Sequence, residues 1–120
     1  MISTRPVSEK KANDDALLLG ELLEALSRMG VAGTVVLHRR LRLGGADIPP
    51  RAAFHPTELL VFGPTGSPRA RVTVRERIVG AVYWVTPTDP HPEWRFPLNQ
   101  LCEAAAYLRL LARYQPVPVP

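Results

Sequence analysis

The chain reads as an α+β domain: an antiparallel four-stranded sheet with an N-terminal and a C-terminal helix packed on one face, in the order α-β-β-β-β-α. Three features predict this. Apolar residues recur at helical spacing only in ALLLGELLEALSRM near the start and PLNQLCEAAAYLRLLARY near the end. Between them the period falls to two, the signature of half-buried strands. The links between the later runs are short and rich in glycine and proline, which makes neighbouring strands antiparallel.

The 120 residues suffice for one domain that buries roughly two thirds of the surface its unfolded form exposes. With 46% hydrophobic and 22% charged residues the composition is that of a folded globular protein rather than a disordered one. The expected organisation is a flexible N-terminal arm over 1–13, a single domain over 14–115 and an extended Pro-rich tail over 116–120. No apolar run approaches the roughly 18 residues needed to span a bilayer, and MISTRPVSEKKANDD lacks the apolar core of a signal peptide. The expectation is a cytoplasmic protein without membrane contact. Cys102 has no partner for an internal disulfide and, among alanines on a helix, reads as a buried, inert thiol.

Each element has a local cause. In residues 16–29, Leu18, Leu22, Ala25 and Met29 form one stripe, flanked by Leu19, Leu23 and Leu26. Asn13, Asp14 or Asp15 can cap the free amides of the first turn, and Gly30 can take the left-handed conformation that closes the helix. TVVLHRRLRL, 34–43, places Val35, Leu37, Leu41 and Leu43 with Arg39 on one face, and Val36, His38, Arg40 and Arg42 on the other. The segment 44–57 that follows exceeds a tight turn, and Arg51 to Phe54 reads as a short helical turn within it. ELLVF, 58–62, is a short strand ended by the turn GPTGSP. ARVTVRER, 70–77, alternates Ala70, Val72 and Val74 against Arg71, Thr73, Arg75 and Arg77. AVYWVT, 81–86, joins it through a three-residue hairpin loop at Ile78, Val79 and Gly80. TPTDPHPEWRFPL, 86–98, is a proline-stiffened connector, and Pro97 fits the first position of the closing helix, where its missing N–H has no partner to lose. That helix runs to Tyr114 with Leu98, Leu101, Ala105, Leu108 and Ala112 toward the core.

The surface features point to binding rather than catalysis. Arg71, Arg75 and Arg77 line one face of a strand, and Arg40 and Arg42 with His38 line a face of another. Guanidinium forks on one sheet surface suit carboxylates or phosphates, and the net charge of +4 favours acidic partners. Tyr83 and Trp84 are neighbours and point to opposite faces, so one of them joins the arginine surface. A strand apolar on both faces needs cover on both, from the long loop, the proline segment or another subunit. Tyr107, Leu110, Leu111 and Tyr114 likewise widen the stripe of the last helix. Trp94 reads as an aromatic folded back on the core or, less favoured, as an anchor for a partner.

No catalytic, cofactor or metal site is expected. His38, His55 and His91 belong to no spaced metal motif, there is no phosphate-cradling glycine loop and no nucleophile elbow, and His91, Glu93 and Asp89 read as solvated loop residues. The sequence therefore suggests a small non-enzymatic interaction module or adaptor for a protein partner, including a second copy of itself as a homodimer. The alternative is nucleic-acid binding by the arginine face, although no ribonucleoprotein signature is present. The partner-binding candidates are Arg40, Arg42, Arg71, Arg75, Arg77, Tyr83, Trp84, Trp94, Tyr107 and Tyr114.

Overall fold

The computed structural model describes residues 7–42, 51–78, 80–88 and 91–114, those at 39–42 and 51–53 through their backbone. The expected α+β class is observed, with five strands in the main sheet rather than four. The elements are α1 (Glu9–Arg28), β1 (Ala32–Val36), β2 (Arg39–Arg42), β3 (Arg51–Phe54), β4 (Glu58–Phe62), β5 (Pro68–Arg77), β6 (Gly80–Pro87), β7 (Trp94–Pro97), a short 3₁₀ turn (Leu98–Gln100) and α2 (Leu101–Arg113). The main sheet runs β1-β4-β5-β6-β7, antiparallel at every pairing, and β2-β3 form a separate ribbon.

Helix α1 starts at Glu9, earlier than the expected boundary at 14, because Ser8 caps it. The Ser8 hydroxyl accepts from the Lys11 amide at 3.1 Å, and Glu9 adds negative charge to the first turn. Glu9 to Asn13 are thus helical, and Ala12 is fully buried. Gly30, at φ +77°, follows the helix as its sequence suggests.

The single strand expected over 34–43 is two. Pairing of β1 with β4 ends at Val36↔Glu58, and pairing of β2 with β3 begins at Arg39↔Phe54, with a His55 amide bond to the His38 carbonyl at 3.0 Å between them. The helical turn expected at Arg51 to Phe54 is instead β3. Its partner is β2, with which it pairs antiparallel, a pairing that local propensity does not reveal. Phe54 is buried, and its carbonyl accepts from the Val7 amide at 2.7 Å.

At the β5–β6 hairpin, Arg77 pairs directly with Gly80, so the connection is two residues, 78–79, rather than three. Gly80 at φ +120° carries the backbone that an L side chain rarely adopts. The GPTGSP turn closes with a Gly63 amide bond to the Ser67 carbonyl at 2.8 Å and with Gly66 at φ +82°. The proline-rich connector holds a strand, β7, which pairs with β6 from Val82↔Pro97 to Val85↔Trp94. Proline is tolerated there because β7 is an edge.

Both helices pack on one face of the sheet, α1 over β1, β4 and β5 and α2 over β4, β5 and β7. The core between them joins Leu19, Leu22 and Leu26 of α1, Leu108 and Leu111 of α2, and the inward residues Leu59, Val61, Val72, Tyr83 and Val85. Within α2 the observed buried set is Ala104, Ala105, Leu108, Leu111 and Ala112, while Leu98 and Leu101 are partly buried and pack against the core at its margin. Cys102 is exposed, a correction to the buried thiol expected from its alanine neighbours. Among the described residues two polar side chains are buried. The Thr57 hydroxyl donates to the Ala12 carbonyl at 2.8 Å, and Asp15 accepts from Lys11 Nζ at 3.1 Å. Among the described residues no helix is long and apolar enough to cross a membrane.

Candidate functional site

The open face of the sheet is set by strand phase. Ala70, Val72 and Val74 enter the core, so Arg71, Thr73, Arg75 and Arg77 project from the opposite side of β5. Tyr83 and Val85 enter the core from β6, which turns Val82 and Trp84 outward; Phe96 does so from β7, which turns Arg95 outward. Register then assembles the site: Thr73 lies opposite Trp84, Arg75 opposite Val82, and Trp84 opposite Arg95.

Trp84 is the centre. The Arg75 guanidinium carbon is 4.2 Å from its ring centroid, that of Arg95 4.7 Å and that of Arg77 5.5 Å. The arginines come from the two strands flanking β6, so the indole is engaged from both sides of its own strand. The indole N–H donates to Glu93 Oε2 at 2.9 Å, which fixes the ring. A cation held over an indole gains about 0.5–1 kcal/mol at an exposed site. Stacking uses the flat side of the guanidinium and leaves its in-plane N–H groups available to an acceptor. Arg75, Arg77 and Arg95 are exposed, and none forms an ion pair with a carboxylate among the described residues. Three positive charges thus surround one aromatic ring, and the Glu93 carboxylate beside it is bound to the indole.

Arg71 differs. Its Nη1 lies 3.5 Å from Glu58 Oε2, and the other oxygen of Glu58 is 3.1 Å from His38 Nε2. Arg71 and His38 share one acid, which ties them to the sheet and lowers their attraction for a further anion. The side chains of Arg40 and Arg42 fall outside the described residues.

The remaining candidates divide between the core and the helix side. Tyr83 is 1% exposed and cannot touch a partner; its hydroxyl donates to the Leu18 carbonyl at 3.4 Å, and burial, then the Glu21 charge, raises its pKa above the ordinary range. Trp94 lies 6.4 Å from Phe96 and 6.5 Å from Tyr107, ring to ring, beside α2. It remains 53% exposed, so it leans on the core without capping it as the sequence suggests. Tyr107 donates to the Pro92 carbonyl at 3.3 Å, and burial raises its pKa. Tyr114 meets His91 edge-on at 4.7 Å. The structure therefore unites Arg75, Arg77 and Trp84, and separates them from Trp94, Tyr107 and Tyr114 by the thickness of the sheet.

Arg95 and Glu93 are the site residues that sequence reasoning missed. Their signal was the alternation Trp94, Arg95, Phe96, hidden among prolines that argue against a strand. Among the described residues no cluster of His, Cys, Asp and Glu could hold a metal ion. Glu93 accepts from the Trp84 indole and His91 meets Tyr114 edge-on, and no hydrogen bond between the two is observed. Comparison of the chain with protein families, with curated proteins and with solved structures finds no match to any.

Proposed function

We propose that the protein is a non-enzymatic binding module that docks an acidic segment of a protein partner on the open sheet face, through Arg75, Arg77 and Arg95 arrayed on Trp84. The observation that carries this reading is the absence of a carboxylate partner for those three arginines among the described residues, combined with their fixation on the indole. An arginine restrained before binding loses less rotamer freedom on binding, which favours affinity. Arginine and tryptophan are also the residues that most often dominate protein interfaces.

Nucleic-acid binding, the alternative from sequence, is less well supported. Single-stranded nucleic acid is held by bases stacked on free aromatic faces. The Trp84 ring is already stacked by guanidinium groups, and Trp94 and Tyr107 lie on the other side of the sheet.

The test is affinity capture from the native lysate, with and without nuclease, using the wild type and an Arg75→Glu/Arg95→Glu protein. Proteins retained by the wild type after nuclease treatment and lost from the charge-reversed protein are the expected result. Equal retention by both, or loss of all retention after nuclease, would contradict the reading.

A further inference from the structure

The two edges of the main sheet are unlike. β7 is four residues long, carries the charged Arg95, and ends at Pro97, which has no N–H to donate. These are devices by which a sheet edge refuses a further strand. β1, the opposite edge, has the sequence AGTVV, with no charge, no proline and no register irregularity across its five pairings to β4. Among the described residues no strand pairs with its outer side. Ala32 and Thr34 are exposed on the open face, and Leu37, just beyond the strand, is 43% exposed. An unprotected edge presents a row of backbone donors and acceptors ready for another strand.

We propose that the occupant of this edge is a second copy of the chain, with β1 pairing antiparallel to the partner's β1 about a two-fold axis at Thr34. An antiparallel pair of identical strands is self-complementary, as a two-fold interface requires. Centring on Thr34 pairs all five residues, Ala32 with the partner's Val36 and Gly33 with the partner's Val35. It also keeps the helices of both copies on one side of a continuous ten-stranded sheet. The five paired β1 residues carry no charge, so they set none against themselves. This inference stands independently of the proposed binding role, because the arginine cluster lies on β5, β6 and β7, two to four strands from β1. In the dimer the two Trp84 strands are separated by seven strand spacings, about 34 Å at about 4.8 Å each before twist. Two such sites on one rigid sheet would bind a partner with paired acidic segments more tightly than one site alone.

The test is the molar mass in solution by light scattering during gel filtration, at protein up to about 100 µM, since association depends on concentration. The wild type should approach twice 13.3 kDa, and Thr34→Lys, which places two ammonium groups on the axis, should run as a folded monomer. A monomeric wild type, or a Thr34→Lys protein that remains dimeric, overturns the proposal. Should Thr34→Lys fail to fold, Thr34→Cys in a Cys102→Ser background decides the matter. Opposed antiparallel residues lie about 4.5–5.5 Å apart between Cα atoms, within disulfide reach. Mild oxidation should yield a covalent dimer at position 34, and its absence overturns the proposal.

Discussion

Trp84 shows how one side chain can answer two demands that the sequence poses separately. β6 is apolar on both faces, and its outward side needs cover. Arginine supplies that cover from neighbouring strands, because its stem and flat guanidinium lie on apolar surface while its N–H edges reach water. Lysine could attract the ring but could not offer a planar fork to a carboxylate. Asp15 is the contrasting residue, a carboxylate drawn inward. Burial raises its pKa, against the hydrogen bond and charge of Lys11, which lower it. A folded-state pKa above the unfolded value means that the native protein binds the proton more tightly. The stability Asp15 contributes is therefore full below the unfolded pKa and is lost as pH rises through the folded one. Urea midpoints from about pH 3 to about pH 7 should show the wild type losing stability relative to Asp15→Asn. A constant difference, or one of opposite sign, would contradict this assignment.

At the scale of elements, the close approach of α1 to β1 depends on Gly33. A Cβ there would lie 2.9 Å from the Leu60 carbonyl oxygen and 3.0 Å from Leu23 Cδ1. Gly33→Ala should therefore cost about 1–3 kcal/mol in chemical denaturation, and an unchanged midpoint would show that the helix shifts freely. The two helices, β4, β5 and β6 were legible because each carries its own period: Val72 and Val74 against Arg71 and Arg75 are a strand before any partner is known. β3 and β7 were not. RAAF has no alternation that favours a strand, and WRFP is surrounded by prolines; both become strands only because β2 and β6 offer them hydrogen bonds. The arginine face on β5 was readable from its alternation, whereas Arg95 required knowledge of β7. The start of α1 was missed because the polar run from Glu9 to Asp14 looks mobile until Ser8 is seen capping it and Ala12 is seen buried.

Among the described residues the main sheet carries both helices on one side and Arg71, Arg75, Arg77 and Arg95 on the other. Apolar residues gather between the sheet and the helices, and the outward side is left to polar and mixed groups. Trp84 faces the open side and Trp94 faces α2. These are the two tryptophans of the chain, so each indole N–H reports on one side. The most direct measurement is a proton–nitrogen NMR titration of the full chain with poly-glutamate at low salt, where surface charges are least screened. The Trp84 indole signal should move, together with the side-chain signals of Arg75, Arg77 and Arg95, while that of Trp94 stays in place and added salt reverses the change. A shift of Trp94 with Trp84 unmoved, or no shift of either, would contradict the assignment of the binding surface to the open face.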